Sequence, residues 1–304
     1  MNHLRYVVIT PARNEERYIE KLIQSMIAQT MLPAKWVIVN DGSTDATADI
    51  VAKYLPDHPW MERLDLAAHR DRSFAAKAFA VNAGMERVKH LDFDVVGNVD
   101  SDVSFDSDYF EFLMDKFAQD EKLGVAGTIF LEDGYSSAAD SFEGQNHVAG
   151  GCQLFRRRCF EEIGGYVPNK AGGVDWIAVT TARMKGWRTR SYREKPFVHY
   201  RSLGTAERSH LASSFSYGEK DYYLGNHPLW EFIRFLYRCT KKPYLLQGIA
   251  LYAGYLSAFA RQMKRPVSKE LMQFHRREEM LKLKAIFRSL FRFERVDSFE
   301  VKPN

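Results

Sequence analysis

Acidic residues follow two short apolar runs of the chain. If these runs are strands of an open α/β sheet, the acids lie at the carboxyl ends of the strands, where such sheets bind their ligands. Asp41 comes directly after one run, and Asp100, Ser101 and Asp102 come directly after another. Carboxylate oxygens suit Mg²⁺ or Mn²⁺, hard cations that keep several waters and share substrate phosphates. In an extended segment residues i and i+2 point the same way, so Asp100 and Asp102 can serve one ion. An ordinary turn with an Asx cap is the alternative for this segment.

The hydrophobic pattern predicts the strands and helices that would position these acids. Apolar runs at 6–10 and 36–40 are typical of buried parallel strands. Between them apolar residues recur from Ile19 at i, i+3, i+4, i+7 and i+8, the stripe of a helix on a sheet. The alternation continues with strands near 63–66, 94–99 and 124–131 and a helix over 74–88. This order predicts a doubly wound, mostly parallel α/β sheet.

Composition sets the class of protein and its compartment. The chain has 304 residues, of which 45% are hydrophobic and 27% charged, as expected for an ordered globular protein. Its three cysteines have no paired metal-ligand spacing, which argues against a zinc site and for a reducing compartment. The first residues lead directly into a short strand without the pattern of a signal peptide. We therefore expect a cytoplasmic protein.

Charge is distributed unevenly along the chain. Residues 230–304 carry 16 lysines and arginines against 7 acids, a net charge of +9, whereas residues 1–229 carry −5. We expect a catalytic domain at 1–228 and a helical extension at 229–304. The uncharged stretch 244–260, flanked by basic residues, predicts a helix lying peripherally on an anionic membrane at its cytosolic face. Packing on the catalytic domain is the alternative, and the tail carries no nucleic-acid-binding signature.

Four segments carry the strongest functional signal. Residues 11–16 read P-A-R-N-E-E, 39–45 read V-N-D-G-S-T-D, 76–84 read A-K-A-F-A-V-N-A-G, and 100–102 read D-S-D. In this order they resemble the P-x-x-N-E-E, V-D-D-G-S-T-D, G-K-A-x-A-x-N-x-G and D-x-D motifs of the family 2 glycosyltransferases. The resemblance extends over roughly residues 5–202. It implies the GT-A fold, with a Rossmann-like nucleotide-binding half and an acceptor half.

The resemblance also implies roles for individual residues. The donor would be a nucleoside-diphosphate sugar, with Asp41 contacting its base. The other residues implied in donor binding are Pro11, Arg13, Glu15, Lys77, Asp100 and Ser101. Mn²⁺ or Mg²⁺ would be held by Asp102 and His199. Each residue also has a structural interpretation, since Asp41 can open a turn, Lys77 can be a solvated helical lysine and His199 can be a packed strand histidine.

A second group of residues resembles the acceptor half of the same family. Asp175, in G-G-V-D-W, takes the place of the catalytic base, and the Gly186–Trp187 pair that closes the following helix is present. Val174 departs from the family's usual Glu-Asp, and Thr181 replaces a common arginine. A carboxylate there would deprotonate an acceptor hydroxyl, and direct displacement with one base implies inversion. A helix N-cap is the alternative role for Asp175.

These observations lead to one expected function and two alternatives. The expected function is an inverting, non-processive glycosyltransferase that acts on a saccharide or lipid-linked acceptor in surface polysaccharide or glycolipid assembly. The alternatives are a non-catalytic sugar-nucleotide-binding protein and a nucleotidyltransferase on a similar fold. Arg70, Arg72 and Arg201 could meet phosphate, but nothing in the sequence distinguishes them from surface charge.

Overall fold

A computed structural model describes the chain at residues 4–67, 74–132, 135–138, 144–169, 172–201 and 210–292. The chain divides into two compact units, Met1–Arg201 and Ser202–Asn304. The expected boundary at 228/229 falls inside the second unit. The reason is that the helix His210–Leu224 packs closely on the helix Leu246–Ala260 and so groups with the helices that follow it.

The first unit is built on a single mixed sheet. Its strands in the described residues are β1 (Tyr6–Ala12), β2 (Lys35–Asn40), β3 (Met61–Asp65), β4 (Val95–Val99), β5 (Val103–Ser104), β6 (Leu123–Glu132), β7 (Tyr135–Ser136), β8 (Cys152–Arg156) and β9 (Arg188–His199). They are ordered β3-β2-β1-β4-β8-β6-β9-β5, with β7 paired to β6. The pairs β3–β2, β2–β1, β1–β4 and β6–β9 are parallel. Strand β8 is antiparallel to β4 and β6, β5 is antiparallel to β9, and β7 is antiparallel to β6.

Helices cover both faces of this sheet. They are α1 (Ile19–Ile27), α2 (Thr47–Tyr54), α3 (Phe74–Val88), α4 (Tyr109–Gln119), α5 (Arg157–Ile163) and α6 (Val174–Met184), with a 3₁₀ turn at Leu55–Asp57. Side chains of β1 alternate between two cores, because successive strand residues point to opposite faces. Tyr6 and Val8 pack with α1, α2 and α4, while Val7 and Ile9 pack with α3, α5 and α6. The predicted doubly wound α/β architecture is confirmed.

The second unit consists of helices in its described part. These are α7 (His210–Leu224), α8 (Pro228–Cys239), α9 (Leu246–Ala260) and α10 (Lys269–Phe291). Glycines let α7 and α9 approach closely, since a Cβ at Gly254 would lie 2.0 Å from the Phe215 carbonyl oxygen. Among the described residues, no helix combines the length and apolar character that a bilayer span requires.

Gly84 determines how closely α3 packs on the sheet. A Cβ added there would lie 2.5 Å from Ile9 Cγ2 and 3.1 Å from Val39 Cγ2, and both partners are fully buried in β1 and β2. Because interiors are packed like crystals, the sheet cannot yield without strain. This close approach positions the amino-terminal half of α3, which carries Lys77, over the carboxyl ends of the strands.

Replacing Gly84 with valine should therefore destabilise the protein by ~1–3 kcal/mol through overpacking. The free energy of unfolding in urea measures this effect. Glu86→Val is the matched control, because it introduces the same side chain at an exposed position of the same helix. Equal stabilities of the two variants would contradict the close-packing argument.

Candidate active site

The first cluster of polar residues lies where β1 and β2 end side by side. Their parallel register pairs Pro11 with Val39, and the Asp41 amide donates to the Ala12 carbonyl oxygen at 2.9 Å. Arg13 Nη1 lies 3.9 Å from Asp41 Oδ2, and the Asp41 side chain is buried. The structure thus brings Pro11, Arg13 and Asp41 together at one edge of the sheet.

Glu15 lies just beyond β1 and faces the middle of the same edge. Its amide donates to Thr47 Oγ1 at 2.7 Å, which anchors the segment to α2. Its buried carboxylate accepts from Arg201 Nη2 at 2.6 Å. Burial raises the pKa of Glu15 to about 7, although Arg201 opposes this rise. Glu15 and Arg201 therefore form a partly buried ion pair on the side of the site nearest β1.

The Asp100–Asp102 segment leaves the sheet differently from the expected extended strand. β4 ends at Val99, and the Asp100 amide donates to the Gly151 carbonyl oxygen at 2.9 Å. Ser101 and Asp102 then form a turn, with both side chains buried. The expected alignment of Asp100 and Asp102 along one extended strand is wrong. The chain turns at residues 101–102, directly after the backbone hydrogen bond between Asp100 and Gly151. The Asp100 and Asp102 carboxylates nevertheless lie close enough to interact electrostatically.

Backbone pairing holds His199 beside Asp102. Val103 of β5 is opposite His199 of β9, and the Tyr200 amide donates to the Asp102 carbonyl oxygen at 2.9 Å. As a result His199 Nε2 lies 3.6 Å from Asp102 Oδ1, and Arg201 Nε lies 3.7 Å from Asp102 Oδ2. Burial, and then the neighbouring Asp100, raise the pKa of Asp102. Ionised Asp102 is therefore held at an electrostatic cost beside Asp100.

Asp102 and His199 fit a divalent cation whose remaining ligands come from the substrate. The imidazole and the carboxylate converge, and a cation would offset the electrostatic cost of holding Asp102 beside Asp100. Glu132 Oε2 lies 3.4 Å from His199 Nδ1, the ring nitrogen that does not face Asp102. In many metal sites a carboxylate in this position orients the histidine ligand. Within the described ranges, no group of three or more His, Cys, Asp or Glu side chains is arranged to hold an ion alone. A cation here would need oxygens from a bound diphosphate.

Lys77 is the cation at the centre of the site. It donates to Asp100 Oδ1 at 2.5 Å and to the Gly150 carbonyl oxygen at 3.2 Å. Burial lowers the pKa of Lys77, but the carboxylates of Asp100, Asp175 and Asp102 outweigh it, so the net change is upward. Lys77 is therefore a charged residue anchored between acids, which differs from a solvated helical lysine.

Asp175 reaches this cluster from the beginning of α6. A Cβ added at Gly150 would lie 2.5 Å from Asp175 Oδ2, so a larger residue at position 150 would displace the carboxylate. The N-cap of α6 is Gly173, whose φ of 77° suits glycine, and Asp175 is the second helical residue. The N-cap alternative for Asp175 is therefore wrong. Val174, the departure from the family motif, is buried in the core.

Three contributors to the site were not identified from the sequence as site residues. Glu132 at the end of β6 and Gly150 before β8 come from segments without a motif, and only the tertiary fold brings them to His199 and Asp175. Arg201 carried no signal beyond its charge, yet it bridges Glu15 and Asp102. Arg70 and Arg72 lie outside the described residues.

Comparison with known proteins shows which family part of the chain resembles. Residues 7–137 match the model described as glycosyl transferase family 2. The 4,4'-diaponeurosporenoate glycosyltransferase of Staphylococcus aureus (strain USA300) is 25% identical over 294 residues, covering 85% of this chain and 76% of the relative. In strain bovine RF122 / ET3-1, the enzyme of the same name is 35% identical over 104 residues, or 34% of this chain and 25% of the relative.

Solved structures share the fold. The mannosyltransferase PcManGT from Pyrobaculum calidifontis, in complex with GDP-Man and Mn²⁺, has a TM-score of 0.56 at 19% identity, covering 95% of this chain and 84% of its own. TarS 1–349 of S. aureus, in complex with UDP-GlcNAc, has a TM-score of 0.57 at 16% identity, covering 97% and 89%. These likenesses show that the chain has the GT-A fold, and residues 7–137 are similar to glycosyl transferase family 2.

Proposed function

We propose that the chain is an inverting, non-processive, metal-dependent glycosyltransferase that moves a sugar from a nucleoside-diphosphate sugar to an acceptor hydroxyl. The observation that carries this proposal is the convergence of Asp175, Lys77 and Asp100 around Gly150. A carboxylate that can take the acceptor's proton and a cation for the departing diphosphate thereby lie close together. Displacement of the diphosphate from a sugar carbon requires both groups.

Donor binding is assigned to the nucleotide edge of the sheet. The pocket formed by Pro11, Arg13 and Asp41 would receive the base, with Glu15 at its inner side. Asp100 and Ser101 continue this edge toward the diphosphate. Support for this donor class comes from the structural relatives, which were solved with GDP-Man and with UDP-GlcNAc. Mn²⁺ accompanies GDP-Man in the first of them.

The chain's own charges account for departure of the diphosphate. Asp102 and His199 would hold Mn²⁺ or Mg²⁺, which as a Lewis acid would neutralise negative charge on the phosphate oxygens. Lys77 supplies a fixed positive charge whose position is set by Asp100 and the Gly150 carbonyl oxygen. Because this lysine is already oriented before substrate binds, it stabilises the developing charge without reorganisation.

Asp175 is proposed as the general base. As the bond between the acceptor oxygen and the anomeric carbon forms, the hydroxyl proton passes to the Asp175 carboxylate. The bond from the anomeric carbon to the diphosphate breaks at the same time, and the nucleoside diphosphate departs with the electron pair. One displacement from the face opposite the leaving group inverts the anomeric centre.

The acceptor is proposed to be a saccharide or a lipid-linked molecule of surface polysaccharide or glycolipid assembly, used in the cytoplasm at an anionic membrane surface. The similar enzyme from S. aureus is named for 4,4'-diaponeurosporenoate, which makes this compound a second candidate acceptor to test. Both alternative functions are less favoured. The relatives are named as transferases, which counts against a pure binding protein, and the family match counts against a nucleotidyltransferase.

Metal dependence can be tested at Asp102. Asp102→Asn removes a charged ligand, so we expect Mn²⁺-dependent donor binding to weaken by at least tenfold and transfer to fall in parallel. Excess EDTA should abolish transfer by the wild-type enzyme, and Mn²⁺ should restore it. Calorimetry with a nucleoside diphosphate, with and without Mn²⁺, measures binding directly. Asp49→Asn, at an exposed position of α2, is the matched control. Full activity in EDTA would contradict the proposal.

The general-base role can be tested at Asp175. Asp175→Asn preserves shape but removes the basic lone pair, so kcat should fall by about 10²-fold or more. The loss of a first-turn helix charge would cost only about 0.3–1 kcal/mol of stability. Melting temperature and donor affinity should therefore change little, as in Asp49→Asn, which removes a first-turn charge from another helix.

Product stereochemistry completes this test. NMR of the wild-type product should show the anomeric configuration opposite to that of the donor sugar. Near-normal turnover by Asp175→Asn would mean that another residue is the base. A product that retains the donor configuration would exclude direct displacement.

A further inference from the structure

The helices α8 and α9 each carry exposed apolar side chains. On α8 these are Leu229, Phe232 and Leu236, which follow one another at helical spacing. On α9 they are Ile249, Leu256 and Phe259. These six residues define the apolar hairpin surface.

Other residues of both helices are held by packing within the second unit. Trp230 and Glu231 of α8 are buried, and Leu251 and Tyr255 of α9 are buried against α7 and its neighbours. The close approach of α9 to α7 leaves α9 no freedom to rotate its apolar stripe inward. The exposed apolar side chains therefore belong to the folded unit and are not a consequence of loose packing.

The loop that joins the two helices continues the same apolar character. Tyr244 and Leu245 are each 60% exposed, and Leu246 at the start of α9 is 53% exposed. Three consecutive large apolar side chains in water are unfavourable unless a partner covers them. Lys241 and Lys242, which Pro243 separates from these residues, are also exposed.

The positive charge of residues 232–268 indicates which kind of partner covers the exposed apolar side chains. Residues 232–268 contain seven lysines and arginines and no aspartate or glutamate. Two copies of such a surface would repel each other, so self-association is not favoured. An anionic lipid surface offers negative head groups for the cations and an acyl boundary for the apolar side chains. The 15 residues of α9 are too few to span a bilayer, which fits a helix lying in the interface.

We infer that the apolar hairpin surface and the loop 240–245 dock on an anionic lipid bilayer, with Tyr244, Leu245 and Leu246 entering the acyl boundary and Lys241 and Lys242 contacting the head groups. This inference deepens the membrane part of the proposed function by naming its docking element. It does not depend on the sugar-transfer chemistry, because all of these residues belong to the second unit.

Sedimentation of the full-length protein with lipid vesicles tests the inference. Wild type should bind phosphatidylcholine vesicles that contain phosphatidylglycerol, and much more weakly those that lack it. High salt should weaken the binding. Leu246→Glu should reduce affinity tenfold or more, because a carboxylate would enter both an apolar and an anionic environment. Lys242→Glu should reduce it roughly tenfold, mainly at low salt.

Controls separate docking from folding and from catalysis. Leu32→Glu changes a 45% exposed leucine of the first unit and should bind vesicles as wild type does. Circular dichroism should show unchanged helix content for Leu246→Glu. Binding of a nucleoside diphosphate by this variant, measured by calorimetry, should also be unchanged. The vesicle result can be interpreted even if the proposed transferase activity fails its own tests.

Four outcomes would overturn the inference. They are no vesicle binding by wild type, equal binding with and without phosphatidylglycerol, full binding by Leu246→Glu, and a light-scattering mass showing that the surface instead joins two copies of the chain. Binding to duplex DNA or RNA that is lost in the same variants, without vesicle binding, would equally reject a lipid partner.

Discussion

The ion pair between Lys77 and Asp100 makes the rest of the site possible. Asp100, Asp102 and Asp175 all lie within electrostatic range of Lys77, and the like charges of Asp100 and Asp102 repel each other. Lys77 lies among them and offsets that repulsion, while Arg201 does the same between Asp102 and Glu15. The acids of the site outnumber Lys77 and Arg201, and a divalent cation would neutralise the remaining negative charge.

The position of Lys77 depends in turn on how the sheet is covered. Gly84 lets α3 lie directly on β1 and β2, and this contact brings the first turns of α3 over the end of β4. On the other side of β4, antiparallel β8 brings Gly150 and Gly151 next to Asp100. The polar residues that follow β1 and β2 and those around Gly150 thus lie on either side of β4, where the pairing changes from parallel to antiparallel.

Much of this arrangement could be predicted from local sequence. The apolar runs that form β1 and β2, the helix 74–88 and the acids that follow β2 and β4 are encoded by neighbouring residues, so periodicity and motifs were sufficient. Long-range features were not predictable in this way. Glu132 reaches His199 only because β6 and β9 pair in parallel, and the turn at Asp102 depends on the arrival of Gly151 beside Asp100. Similarly, α7 contains no local signal that it packs with α9.

The position of the metal and diphosphate is the central claim, and anomalous diffraction tests it most directly. Crystals of the protein with Mn²⁺ and a nucleoside diphosphate should show one manganese peak between Asp102 and His199. The diphosphate should contact this ion on the side that faces Lys77, with Asp175 across from it. A manganese peak away from Asp102, or a diphosphate bound at another edge of the sheet, would contradict the account.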